Sequence, residues 1–216
     1  MEPGSMFSKE QGPMSITKAM RMRGVPYAKA IGSILWLAII SRPDVAYAVG
    51  VLVQFIQNPG NVHWEALKRI IVYLQSTKDV WLTFGGCSST TVQGFCDADW
   101  GTSPHRHSIS RYLFHMGNGA VSWSSKKQHI TALSSTEAEY IVLTHAAKEA
   151  LWLRTFLSEL RGTPNGPMTI NCDNQGAIAL SKDNKFHART KHIDICYHFI
   201  RECVAEIGRA SCRERV

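Results

Sequence analysis

Apolar side chains recur every three or four residues from Tyr27 onwards. Ile31, Ile34, Leu35 and Ala38 share one face, and that spacing predicts a helix. Arg42-Pro43-Asp44 interrupts it, since proline removes a backbone donor and clashes with the preceding turn. Asp44 is placed to cap a second helix, with Val45, Ala48, Val49, Leu52 and Phe55 along one side. Asn58-Pro59-Gly60 ends that helix. A third runs from about Val62 to Gln75, with Trp64, Leu67, Ile70, Ile71 and Leu74 as its stripe. Residues 27–84 thus read as a small helical segment. Residues 1–26 keep no lasting period and read as loop or disordered chain.

The period changes beyond Gly85-Gly86-Cys87-Ser88-Ser89-Thr90, whose small polar residues mark a linker or hairpin tip. Val92 to Asp97 reads as a strand. Tyr112 to Met116 and Ala120 to Ser125 flank Gly117-Asn118-Gly119, the pattern of a β-hairpin. A long helix follows from about Ser135 to Leu160, with Val142, Ala146, Leu153, Phe156 and Leu160 at helical spacing. Gly162 to Pro167 stops it. Met168, Ile170 and Cys172 then alternate with Thr169 and Asn171 in a short strand ending at Asp173. Helices over roughly Asn174–Ser181 and His192–Val204 complete the series. Three strands, a helix, a strand and two helices make this half α/β.

Composition narrows the picture little. A chain of 216 residues, 44% hydrophobic and 19% charged, is that of an ordinary globular protein. The net charge of +7 permits an anionic partner such as nucleic acid. The most apolar stretch, Ile31 to Ile40, contains Gly32 and Ser33 and falls short of the ~18–20 residues a membrane span needs. Met1-Glu2-Pro3-Gly4-Ser5 lacks the basic and apolar regions of a targeting segment, so no membrane partner is expected. No Cys-x-x-Cys pair occurs, which argues against a zinc ribbon. Several cysteines lie inside apolar segments, as expected of a reducing, intracellular compartment. On the helix predicted from His192, that residue and Cys196 share a face that His198 leaves, so these residues with His187 make a poor zinc site.

Candidate chemistry lies in the carboxylates. Asp97 and Asp173 each end a predicted strand, where open α/β sheets place their sites. Glu139 lies in the first turns of the helix between them. Oxygen ligands of this kind suit Mg²⁺, and two such ions support phosphodiester hydrolysis. Each residue also has a purely structural reading. Asp173 could be an N-cap, Glu139 could close a capping box with Thr136, and Asp97 and Asp99 could be turn residues. Ser134 with Glu137 offers an earlier capping box that would leave Glu139 free. Spacing alone does not choose among these.

The surrounding motifs add a resemblance. Gly94-Phe95-Cys96-Asp97-Ala98-Asp99-Trp100, Ala132-Leu133-Ser134-Ser135-Thr136-Glu137-Ala138-Glu139-Tyr140 and Cys172-Asp173-Asn174-Gln175 resemble the acidic motifs of ribonuclease H domains in copia-type LTR retrotransposon Pol polyproteins. His187-Ala188-Arg189-Thr190-Lys191-His192-Ile193-Asp194 resembles a further family signature. Upstream, Ser41-Arg42-Pro43-Asp44-Val45-Ala46-Tyr47 and Asn58-Pro59-Gly60 with His63-Trp64-Glu65-Ala66 resemble the thumb or connection segment that joins polymerase to ribonuclease H. The resemblance covers roughly residues 27–206. It implies a ribonuclease H-like mixed sheet with flanking helices over residues 92–206, preceded by the helical segment. It implies Asp97, Glu139 and Asp173 as catalytic metal ligands with Asp99 beside them, and two Mg²⁺ ions, or Mn²⁺, as cofactors. The implied reaction cuts RNA in an RNA–DNA hybrid, in the company of the rest of the polyprotein and in a virus-like particle or the nucleus. Lys126, Lys127, Arg189 and Lys191 are candidate phosphate contacts, with a solvated basic face as the alternative. Trp100 and Trp123 read as packing residues rather than base-stacking platforms.

The chain also departs from that family. No adjacent Asp-Asp pair occurs, so the polymerase palm motif is absent. Arg111 stands where the family usually has glycine. After Glu206 the expected final strand and helix, with a fourth catalytic Asp, are missing, and residues 207–216 read as an artefactual tail. The alternative expectation is therefore a catalytically inactive remnant that at most binds nucleic acid.

Overall fold

A computed structural model of the chain describes residues 7–85, 91–101, 107–161, 166–182, 198–200 and 202–203. Two compact units divide at Thr83 and Phe84. In the first, α1 (Ile16–Arg23), α2 (Tyr27–Ile40), α3 (Ala46–Leu52) and α4 (Asn61–Ser76) are joined by short turns. Tyr27, Ile31, Ile34 and Ala38 of α2 pack with Val49 and Leu52 of α3 and Leu67 and Ile70 of α4 around one core. The Tyr27 hydroxyl donates to the Leu52 carbonyl at 2.8 Å, satisfying a polar tip inside that core.

Two local expectations change here. Residues 1–26 are not all loop, because Ser15 Oγ accepts from the Lys18 N–H and starts α1. That helix buries none of its residues, so no apolar period betrays it. Asp44 is not the cap of α3. It lies in a 3-10 turn, Pro43–Val45, takes the Arg42 guanidinium at 2.7 Å and accepts from the Tyr73 hydroxyl at 3.0 Å.

The second unit is mixed α/β. Strands β1 (Gln93–Asp99), β2 (Ile109–Met116), β3 (Gly119–Lys127) and β4 (Thr169–Asn171) form one sheet in the order β3-β2-β1-β4. The first three are antiparallel neighbours, and β4 joins β1 in parallel. Helices α5 (Ser135–Arg161) and α6 (Gln175–Lys182) flank the sheet. The hairpin turn is Gly117-Asn118, with φ of 58° and 67°, the left-handed values a two-residue turn of this hand requires. Along β1, Gly94 and Cys96 are buried, whereas Gln93 and Asp97 point away and are exposed. Gly94 pairs with Phe114 across the strands, and a Cβ there would stand 2.6 Å from the Phe114 ring.

Helix α5 is buried over most of its first half, from Glu137 to Thr144 and at Ala146 and Ala147. In its second half Leu153 is buried as expected, but Leu157 turns inward with it, while Phe156 and Leu160 are exposed. Trp152 and Phe156 stack on one another at 5.3 Å on that outer face. Residues 86–90 of the expected linker, 162–165 of the helix stop and most of the segment from His192 lie outside the described residues. No helix among the described residues is long and apolar enough to cross a membrane.

Candidate metal centre

The parallel pairing of β1 with β4, from Gln93↔Thr169 to Phe95↔Asn171, carries both strands toward the same edge. Cys96-Asp97 therefore lies beside Cys172-Asp173, and α5 packs over β1. Glu139, 5% exposed, reaches from α5 to the strand, where the Ala98 N–H donates to its Oε1 at 3.0 Å. The Cys172 thiol donates to Oε2 at 3.9 Å. One carboxylate oxygen each of Glu139 and Asp173, with Cys172 Sγ, lie within 4.8 Å of one another.

The structural alternatives for these residues fall to their neighbours. Ser134 Oγ accepts from the Glu137 N–H at 3.2 Å, and the Glu137 carboxylate accepts from the Leu133 N–H at 2.8 Å. Those two residues start α5 and leave Glu139 to the sheet. The cap of α6 is Asn174, whose Oδ1 accepts from the Ala177 N–H at 2.9 Å, so Asp173 is not used there. Asp97 and Asp99 belong to β1 itself and not to a turn.

Burial pushes the Glu139 carboxyl up to about 8; the Ala98 N–H opposes this, and the neighbouring Cys172, Asp97 and Asp173 reinforce it. Cys172 moves the other way, drawn down by a hydrogen bond with Cys96 and by the Asn174 N–H against the effect of its own burial. Asp97 is exposed and stands outside the tight group. It lines the same cleft as Phe95, Arg111 and Asp173, about 440 Å³ in volume. Its carboxylate accepts from Arg111 Nη1 at 3.3 Å, while Arg111 Nη2 donates to Asp99 at 3.0 Å.

Two of these residues were not legible as site members. Cys172 reads as an inward strand position, and only its 3.9 Å contact with Oε2 shows that it faces Glu139. Arg111 reads as a packing question at a glycine position, yet it pairs directly with Asp97 across the antiparallel strands. Lys126 is exposed and Lys127 half-buried at the end of β3. Arg189 and Lys191 lie outside the described residues, as do His187, His192 and Cys196. Lys148 and Lys126 both lie close enough to the His145 imidazole to add to the downward push of its burial. Trp100 is 51% exposed but anchored, its Nε1 donating to the Ala132 carbonyl at 3.2 Å.

No protein-family model matches the chain. Over 199 residues it is 48% identical to the retrovirus-related Pol polyprotein from transposon TNT 1-94 of Nicotiana tabacum, covering 92% of this chain and 15% of that protein. Over 142 residues it is 48% identical to secreted RxLR effector protein 161 of Plasmopara viticola, covering 65% of this chain and 100% of that one. A ribonuclease H1 isolated from compost superposes with a TM-score of 0.42 at 14% identity, covering 58% of this chain and 86% of that one. Homologues of the chain at 38–48% identity over most of its length are retrovirus-related Pol polyproteins of copia-type plant transposons. The chain spans 15% of the length of the tobacco protein.

Proposed function

We propose that the second unit is a ribonuclease H module of a retrotransposon Pol polyprotein, which hydrolyses the RNA strand of RNA–DNA hybrids with divalent cations. The observation that carries this reading is the convergence of Glu139 and Asp173, with Asp97 on the same cleft, at the carboxyl ends of the parallel strands β1 and β4. The donor set fits Mg²⁺, with Mn²⁺ as a substitute: the carboxylates are hard oxygen ligands, and Glu139 is held protonated chiefly by burial and further by the neighbouring Cys172, Asp97 and Asp173. A thiol is a poor ligand for Mg²⁺, so Cys172 serves as a hydrogen-bond donor to Glu139 and not as a ligand. Asp97, Glu139 and Asp173 hold the ions, with Asp99 beside them. Two ions held by these residues would supply an activated water and stabilise the leaving oxygen. Glu139 gives up its proton on binding, and the Ala98 N–H keeps its carboxylate aimed at the strand ends. Lys126, Lys127, Arg189 and Lys191 contact phosphates, and the A-form shape with its 2′-hydroxyls marks the RNA strand. The module works as part of the longer polyprotein, in a virus-like particle or the nucleus.

The test is cleavage of a matched set of RNA–DNA hybrid, double-stranded RNA and double-stranded DNA in Mg²⁺. The reading expects cuts confined to the RNA of the hybrid, leaving 3′-hydroxyl and 5′-phosphate ends, and lost on adding EDTA. Equal cutting of all three duplexes would rule it out. A second reading, a non-catalytic remnant that binds nucleic acid, is favoured by one observation: Asp97 is engaged by Arg111. Hybrid binding with no cleavage in either Mg²⁺ or Mn²⁺ would select that reading.

A further inference from the structure

Arg111 sits directly opposite Asp97 in the β1–β2 pair, and Asp99 lies two residues along the same face. Its guanidinium uses separate nitrogens for the two carboxylates, Nη1 to Asp97 at 3.3 Å and Nη2 to Asp99 at 3.0 Å. The fork thus bridges two carboxylates that the strand period places side by side. The bridge is wet: the side chains of Arg111, Asp97 and Asp99 are 37%, 54% and 23% exposed. Exposed ion pairs contribute little to stability, so this one is weakly held. Both Asp97 and Arg111 line the cleft that also holds Asp173.

We propose that Arg111 is a tethered cation that sets the metal affinity of the cleft: it holds Asp97 in the cation-free protein and must release it before a divalent ion takes that carboxylate. This rests on the reading of Asp97 as a metal ligand. The Asp99 contact is the shorter of the two, so the guanidinium keeps one anchor on β1 while it gives up the other. The site then requires more free cation to fill than the same carboxylates would without Arg111, and part of its affinity responds to the length and charge of one side chain.

Mn²⁺ alone is the probe, titrated into the full chain by calorimetry or by loss of its free-ion paramagnetic signal. Arg111→Gln removes the charge and keeps most of the length. It is expected to bind Mn²⁺ at least about tenfold tighter, since a unit charge within a few ångström of a divalent ion costs that much even when well screened. Arg111→Lys, a point charge without the fork, falls between the two and carries the test if circular dichroism shows Arg111→Gln to be unfolded. Adding Asp97→Asn to Arg111→Gln abolishes the gain. Unchanged or weaker Mn²⁺ binding in folded Arg111→Gln, with Asp97→Asn still weakening the wild type, would overturn the inference and leave Asp97 a ligand. If Asp97→Asn alters binding in neither background, Asp97 is not a ligand and the inference falls with that reading.

Discussion

Glu139 accepts one backbone N–H, at 3.0 Å from Ala98, and that single donor does not offset burial beside Asp97, Asp173 and Cys172. Its carboxyl rises from 4.5 to about 8 in the folded protein. Between those values the folded chain keeps a proton that the unfolded chain has lost, so without metal the Glu139 contribution falls as pH rises through that window. Cys172, drawn down to about 7, contributes in the opposite direction above that pH. Urea unfolding in EDTA should therefore show stability declining from pH 5 to 7, and Glu139→Gln should flatten that slope. An equal slope in Glu139→Gln would mean that the carboxyl is not buried as described. Divalent-cation affinity should run the other way, tightening as pH rises toward 8, because the ion competes with the proton on Glu139. At this scale the flanking motifs singled out Asp97, Glu139 and Asp173 as the candidate carboxylates. Spacing could not separate them from their neighbours. Ser134 and Glu137 formed the earlier capping box that the pattern offered, at 3.2 and 2.8 Å, whereas the cap of the next helix went to Asn174 by a 2.9 Å bond that the pattern did not single out. Arg111 was visible only as an unusual residue, since its partners are set by strand register.

The elements that aim these residues depend on close approach at β1. Gly94 faces Phe114, which is fully buried, and a Cβ would meet its ring at 2.6 Å. Gly94→Ala should lower stability by about 1–3 kcal/mol, the usual cost of overpacking a filled core. Chemical denaturation would measure it, and a neutral outcome would mean that the ring shifts freely. The hairpin offers a second check. Asn118 holds φ of 67°, so Asn118→Ala should cost about 1 kcal/mol, whereas Asn118→Gly should be tolerated. Strands, hairpin and the start of α5 were legible because alternation and turn residues coincide there. The outer half of α5 was misread because Phe156 and Leu160 keep helical spacing without being buried. Apolar period reports a stripe, and only packing decides which stripe faces the core. α1 failed in the reverse sense, being a helix with a cap and no buried stripe.

For the whole molecule, the two units have separate cores, one led by Tyr27, Leu52 and Leu67 and the other by Phe114, Tyr140 and Ile170. Tyr27→Phe removes the 2.8 Å bond to the Leu52 carbonyl and should destabilise the first unit by about 1 kcal/mol. Mn²⁺ affinity in the second unit should not change, and a parallel loss of metal binding would show that the units are coupled. Near the sheet the net charge of +7 includes Lys126 and Lys148, both close enough to the His145 imidazole to push it down. If Lys126 and Lys127 each neutralise a phosphate, replacing both by Gln should reduce the salt dependence of hybrid binding by about two units of slope. The homology to Pol polyproteins was legible at this scale because several ordered motifs are hard to match by chance. The division at Thr83 and Phe84 rests on packing. The central claim, that these carboxylates form a divalent-cation site, is tested most directly by the titration of Glu139 itself, followed by side-chain carboxyl NMR with and without Mg²⁺. The account predicts a midpoint near 8 in EDTA, falling toward the ordinary carboxylate range when Mg²⁺ saturates the site. A midpoint that Mg²⁺ does not move would contradict it.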